Sequence, residues 1–161
     1  MPDLTGRVRK HRGNDLEPDE TIVKSLVGQP PGSKARRLNT VRLGVGTILP
    51  TGLSDIGADQ ILVWNAAIEN PLADRVPRRN VYITLTSQRM LVHTTTALGK
   101  PKELACSYAH DEIAGVRVDN PKIGDGEVFV QYADDSITNL LMVTNQKPDE
   151  FVDAWHVIQS R

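Results

Sequence analysis

The residue pair best suited to catalysis is His93 and Cys106, the single cysteine of the chain. If both lie on neighbouring strands of a hairpin, the imidazole would stand near the thiol and activate it as a nucleophile. A cysteine in a strand is, however, more often small buried filling, and a strand histidine is commonly half exposed. We therefore predict no catalysis at this pair and interpret the chain as a non-enzymatic protein.

Histidine chemistry at a metal is not predicted either. The histidines stand at positions 11, 93, 110 and 156, and none pairs with another at the spacing of metal ligands. The single cysteine excludes a cysteine metal cluster. We therefore expect no metal site.

Two further patterns have simpler explanations than a cofactor site. Asp125, Asp134 and Asp135 lack the spacing of an EF-hand, and turns account for them. The glycine pair at 44–46 lacks the third glycine of a dinucleotide loop and is followed by Pro50 instead of a helix start. The sequence therefore predicts no cofactor.

Basic residues in the middle of the chain are the candidate binding residues. Arginine side chains present a planar fork of donors that matches phosphate and carboxylate oxygens. The candidates lie near the two ends of residues 33–79, and they are Lys34, Arg36, Arg37, Arg42, Arg75, Arg78 and Arg79. Nucleic acid is disfavoured as the partner, because Trp64 is the only aromatic residue near these clusters and the sequence pI is about 6.4.

Charge is distributed unevenly along the chain although the formal net charge is only -1. Residues 1–102 contain 15 Lys or Arg against 9 Asp or Glu, which gives +6, while residues 103–161 contain 4 against 11, which gives -7. Either the two halves attract each other in the folded chain, or a basic face is available to an anionic partner.

Length and composition indicate one globular domain of 161 residues with 39% hydrophobic and 24% charged residues. Residues 1–15 are polar and basic, so we predict a flexible basic tail there and a single domain over 16–161. No apolar stretch of a secretory signal follows the N-terminal charges, and one cysteine suits a reducing compartment. We expect a cytoplasmic protein.

The elements that must position these residues are mainly strands. From residue 81 the apolar side chains alternate with period two, with Val81, Ile83 and Leu85 on one side. Turn residues separate the segments. Strands are predicted over 21–28, 81–86, 90–95, 103–109, 115–119, 127–133 and 137–144. Seven short strands with such spacing predict an antiparallel sandwich or barrel.

A helix is predicted at the C-terminal end. Pro148 suits the first helical turn, and Phe151, Val152, Trp155 and Ile158 form one apolar stripe, with Val157 beside it. We interpret this helix as a lid over one open side of the sheet.

Residues 33–79 form an insertion between the first two strands, with a glycine-rich part and one helical pattern. In that pattern Ile61, Trp64, Ile68 and Leu72 share a face, which assigns Trp64 to packing.

Three motifs in the second half carry a resemblance to a known family. Residues 82–92 look like the "LTxxRLLV" strand-turn-strand of bacterial PH-like and GRAM-like domains. Residues 99–104 with 111–116 look like the "GKPKEL" and "DEIAxV" of actinobacterial members, and residues 150–155 look like their closing helix. The resemblance covers residues 80–158 and, loosely, 17–32. It implies a PH-like sandwich of seven strands capped by the C-terminal helix.

The resemblance carries no ligand residues with it, because its motifs concern a turn, a hairpin and a lid. Lipid-binding PH domains hold head groups with a short basic loop between the first two strands, whereas here the long insertion stands at that place. We expect a binding or scaffolding module that engages a protein partner, through the insertion or an exposed strand edge. The alternatives are attachment to anionic lipid at the inner membrane face through the arginine clusters, and a structural homo-oligomer.

Overall fold

The computed structural model describes residues 3–31, 33, 60–119, 126–143 and 146–161. Its main element is a seven-stranded sheet in which every pair of neighbours is antiparallel. The strands are β1 (Ile22–Gln29), β2 (Val81–Thr86), β3 (Arg89–Thr95), β4 (Pro101–Ala109), β5 (Ile113–Asp119), β6 (Glu127–Tyr132) and β7 (Ile137–Met142). Their order across the sheet is β4-β3-β2-β1-β7-β6-β5. The prediction of a mainly-β chain with seven antiparallel strands and a C-terminal helix is confirmed.

Three helices accompany the sheet within the described residues. They are α1 (Leu4–Arg12), a helical segment over 60–66 that we call α2, and α3 (Pro148–Gln159). Short 3-10 turns occupy Gly13–Asp15, Leu72–Arg75 and His110–Glu112.

Among the described residues, the shortest strand pairing in the sheet is that between β1 and β7, which pairs Gly28 with Met142 and Gln29 with Leu141. A Cβ atom on Gly28 would lie 2.8 Å from the Cβ of Leu140, so this close approach requires glycine. Gln146 lengthens the junction, because its side-chain amide accepts from the Val27 N–H at 2.7 Å and donates to the Val27 carbonyl at 2.7 Å.

The main core lies between the strands and α3. Val81, Ile83 and Leu85 of β2 point into it, as the alternation predicts. Pro148 begins α3, and the acidic residues of its first turn suit the positive end of the helix dipole. Phe151 and Trp155 are buried against the core, whereas Val157 is 53% exposed. The predicted lid is confirmed.

Residues 4–15 are not a flexible tail, and that prediction is wrong. They form α1 and a 3-10 turn. Helix α1 packs against β1 and β4, on the face of the sheet opposite the main core. Val8 is fully buried with Ile22 and Tyr82, and Leu4, one helical turn earlier, packs against the same cluster. The Asp3 side chain accepts from the Gly6 N–H at 2.8 Å and so caps the helix. Leu4 and Val8 thus provide the apolar part of the contact that docks this short helix.

The helical pattern around Trp64 is also interpreted wrongly from sequence. The helix ends at Ala66, and the chain then turns through Asn70, whose φ is +50°. Ile68 and Leu72 therefore do not continue the stripe. Trp64 is 55% exposed instead of packed in the core. The glycine-rich part of the insertion lies outside the described residues.

No helix within the described residues is both long enough and apolar enough to span a membrane.

We expect Trp155→Ala to lower the free energy of unfolding by about 3 to 5 kcal/mol, because it empties a buried site against the core. The matched control is Val157→Ala on the exposed side of the same helix, which should change the free energy by about 0.5 kcal/mol or less. Urea denaturation followed by circular dichroism measures both. Equal losses would mean that α3 is not a lid.

Candidate functional site

Three of the predicted binding residues lie in the described part of the chain, namely Arg75, Arg78 and Arg79. Arg75 donates to Glu112 at 3.1 Å, and its guanidinium carbon lies 5.5 Å from the centre of the Tyr108 ring. Arg78 and Arg79 are exposed. Lys34, Arg36, Arg37 and Arg42 lie outside the described residues. At Arg75, therefore, the basic half of the chain pairs with the acidic half.

The end of the insertion is fixed to the β6–β7 hairpin through side chains that bond backbone. The Asn65 amide donates to the Ile137 carbonyl at 2.7 Å and accepts from the Ile137 N–H at 2.8 Å. It thus pairs with β7 as a neighbouring strand would, at the point where β7 begins. The Trp64 indole donates to the Asp135 carbonyl at 2.9 Å.

The 3-10 turn at Leu72 adds further bonds to the same hairpin. The Leu72 N–H donates to the Asp134 carboxylate at 2.6 Å, and the Ala73 N–H donates to the Ser136 hydroxyl at 3.0 Å. On its other side the Leu72 carbonyl accepts from the Tyr108 hydroxyl at 2.7 Å. Residues 64–75 are consequently held both by the β6–β7 hairpin and by β4.

A cleft of about 250 Å³ lies between this anchored segment and the ends of β1 and β7. Pro30, Pro31 and Leu62 give it apolar lining, and Asp74 and Arg78 are its charged lining residues. Arg78 is the predicted binding residue that the structure places at a concave surface. Its neighbour Asp74 gives the cleft both signs of charge.

Val63 and Trp64 form an exposed apolar surface on α2, beside Asn65. Val63 is 72% exposed and Trp64 is 55% exposed. The indole hydrogen bond fixes the ring while most of it stays accessible to solvent. We call Val63 and Trp64 the α2 surface. The sequence did not predict this surface, because the apolar spacing continues beyond Ala66 and so assigned Trp64 to packing.

A buried ion pair joins the segment after α1 to the β2–β3 hairpin. The Glu20 carboxylate is fully buried and accepts from Arg89 Nε at 3.0 Å and from the Thr86 hydroxyl at 2.6 Å. Arg89 also donates to the Asp15 carbonyl at 2.9 Å. Burial raises the pKa of Glu20, but the hydrogen bonds from Arg89, Thr86 and Glu17 outweigh it and lower the pKa below its usual value.

His93 lies fully buried beneath the same segment. Its Nε2 is 3.0 Å from Asp15 Oδ2, and Arg12 binds both carboxylate oxygens of Asp15. Burial lowers the pKa of His93 despite the nearby carboxylate, so the ring is neutral at pH 7. Because an ionised carboxylate only accepts, the Nε2–H donates the hydrogen bond to Asp15. Nδ1 is buried and has no hydrogen-bond partner among the described residues. For Asp15, burial raises the pKa, but Arg12 and His93 outweigh it and lower the pKa.

His93 and Cys106 do not form a nucleophile pair. Cys106 pairs with Val92 and packs against the main core, whereas His93 points to the opposite face of the sheet. Burial raises the pKa of the Cys106 thiol to about 11, which disfavours the thiolate.

Asp134 and Asp135 lie in a turn, as the sequence predicts, and have structural roles there. Asp134 accepts from the Ser136 hydroxyl at 2.6 Å, and Asp135 has a φ of +67° in the β6–β7 turn. Asp125 lies outside the described residues. Across the described part of the chain, no group of three or more His, Cys, Asp and Glu side chains is placed to hold a metal ion.

We expect Asn65→Ala to lower the free energy of unfolding by about 2 to 4 kcal/mol, because it leaves both backbone groups of Ile137 without this partner at a largely buried position. Glu69→Gln, on the exposed turn after α2, serves as the control and should have little effect. Hydrogen exchange should also show faster exchange of the Ile137 amide in Asn65→Ala. Unchanged exchange at Ile137 would contradict the anchoring role.

Acid should destabilise the fold in two steps. The pKa of His93 is lowered in the folded chain, so its contribution is present above the unfolded pKa of about 6.5 and is lost as the pH falls below it. The lowered pKa values of Asp15 and Glu20 add a second loss below about pH 4. Urea unfolding between pH 8 and pH 3, as chosen assay limits, measures both steps.

The variant that tests the first step is His93→Gln, which keeps a donor for Asp15 but does not titrate. Its unfolding free energy should depend less on pH between about 7 and 5 than that of the parent chain. His156→Gln, at an exposed position on α3, is the control for removing one histidine. A parent-like pH dependence in His93→Gln would contradict the assignment.

The described geometry offers an anchored apolar surface, a small cleft of mixed charge and a buried polar cluster that fixes the N-terminal segment. No protein-family model matches the chain, and a search of curated proteins finds no match.

Proposed function

We propose that the chain is a cytoplasmic, non-enzymatic PH-like binding module that engages a protein partner through the α2 surface. The seven antiparallel strands and the closing helix α3 support the PH-like part of the proposal, since the motif resemblance implies a seven-stranded sandwich capped by a helix. Fold alone does not fix function, so the proposed partner depends on the surface.

The observation that carries the proposal is the exposure of Val63 and Trp64 on a segment that is held in place. Anchored side chains lose little further conformational freedom on binding, which favours association. Tryptophan is also enriched among the residues that dominate binding energy at protein interfaces. The cleft beside Arg78 lies next to Asn65 and offers a recess for a partner side chain.

Two other functions are outcomes of the same tests. Attachment to anionic lipid through the arginine clusters has less support in the described residues, because Arg75 is paired with Glu112. Homo-oligomerisation through the α2 surface would use the same residues with a second copy as the partner.

The test places a photo-crosslinking amino acid at Val63 of the full chain, in the cells that naturally produce it. We expect one crosslinked protein species, identified by mass spectrometry. A crosslinker at Val157, which is similarly exposed on α3, is the matched control and should not give that species. The identified partner is then purified, and Trp64→Ala should weaken its binding at least about 30-fold, as expected for a central interface tryptophan.

Equal adducts at Val63 and Val157, or unchanged affinity in Trp64→Ala, would overturn the proposal. An adduct of the chain with itself would replace it with the homo-oligomer. Flotation with anionic vesicles that is lost in Arg78→Glu/Arg79→Glu would replace it with lipid attachment.

A further inference from the structure

The outward side of α1 carries a cluster of cations that the fold does not use. Arg7, Arg9 and Lys10 are exposed, and none has an ion-pair partner among the described residues. Arg12, in contrast, is bound to Asp15. Because Val8 is fully buried beneath them, the three cations are held on a docked helix. We call Arg7, Arg9 and Lys10 the α1 cations.

The edge of the sheet lies beside this helix. β4 is the outermost strand, and in the described ladder it pairs only with β3. The segment from Val8 to Asp15 runs over Tyr82 and His93 towards Arg89. His93 and Arg89 pair with Leu104 and Ala109, so α1 and its following turn lie alongside residues 104–109 of β4.

Residues 106–109 have none of the features that usually protect a sheet edge. Protected edges carry charged residues, proline or a bulge. Pro101, Lys102 and Glu103 stand in the first part of β4, and the register with β3 is irregular between Pro101 and Leu104 and again between Leu104 and Cys106. From Cys106 to Ala109 the register is regular, and these four residues contain no charge and no proline. Within the described residues, no strand pairs with the outer side of this stretch.

Exposed leucines flank the same edge. Leu98 is 83% exposed in the turn before β4, where Gly99 has a φ of +71°, and Leu104 is 36% exposed. The turn is fixed beside α1, because the Tyr82 hydroxyl donates to the Gly99 carbonyl at 2.7 Å and Tyr82 packs against Val8. Apolar side chains, cations and an open strand edge thus meet on one side of the molecule.

We propose that the edge of β4 and the α1 cations form a second docking surface, which takes an extended acidic segment of a protein as an added strand. Backbone groups of the segment would pair with residues 106–109. Its carboxylates would meet the α1 cations, and its apolar side chains would cover Leu98 and Leu104. This surface lies on the α1 side of the sheet and does not depend on the α2 surface.

A peptide fits this surface better than a flat anionic membrane. Exposed carboxylates of Asp3, Asp19 and Glu103 stand on or next to the elements that form the surface, and an extended anionic plane would meet them together with the cations. A single strand can follow the cations and avoid these carboxylates. It also supplies backbone donors and acceptors to the β4 edge, which lipid head groups do not present in strand register.

The test uses the full chain and a fluorescein-labelled peptide of alternating Glu and Val, about 12 residues long so that it spans a typical strand. Fluorescence polarisation should show saturable binding that weakens with salt. Arg9→Glu/Lys10→Glu should weaken it at least about tenfold, since it replaces attraction by repulsion. Arg117→Glu/Arg161→Glu makes the same change in net charge at exposed positions away from α1 and is the matched control.

A second probe separates strand addition from simple charge attraction. The same peptide with alternate backbone nitrogens methylated keeps its carboxylates but loses half of its N–H donors, so its binding should fall at least about tenfold. Equal binding of the two peptides would overturn the proposal, as would equal loss in both double variants, absence of binding, or tighter binding to anionic vesicles or single-stranded DNA. Circular dichroism and urea unfolding check that each variant is folded.

Discussion

Strand β2 has no side that faces water, and the rest of the fold follows from this constraint. All six of its residues are buried. One side packs in the main core under α3, and the other side carries Tyr82, Thr84 and Thr86 beneath the N-terminal segment. A sheet covered on one face only would leave these side chains exposed, so the chain needs a second covering layer, and α1 with the turn after it provides that layer.

The second layer is polar, and this decides how it is held. Thr84 bonds Ser25 at 3.0 Å, Thr86 donates to Glu20, and His93 donates to Asp15. Buried polar groups without such partners would destabilise the fold by a few kcal/mol in total. Side-chain amides have the same role elsewhere in the sheet, since Asn65 of the insertion and Gln146 before α3 each complete the hydrogen bonds of a strand residue. Segments with little apolar area are thus fixed by directional bonds.

Sequence patterns predicted the strands and α3 because burial on the core side imposes periods that are visible locally. Val81, Ile83 and Leu85 show period two, and Phe151 and Trp155 show the helical spacing. The role of α1 was not predictable from composition, because one buried Val8 among four basic residues resembles a solvated tail. The Asp3 cap and the Leu4–Val8 spacing are the available signals. Asn65, Glu20 and Asp15 could not be assigned, since their partners lie more than 60 residues away in the chain.

The distance along the chain between α1 and its partners also constrains the order of folding. His93 follows Asp15 by 78 residues, so a growing polypeptide presents α1 long before β3 exists. A nine-residue helix with few apolar side chains is not stable by itself in water. During synthesis this segment must therefore stay solvated until the hairpin of β2 and β3 has emerged. Its high charge opposes premature association with apolar parts of other nascent chains during that time.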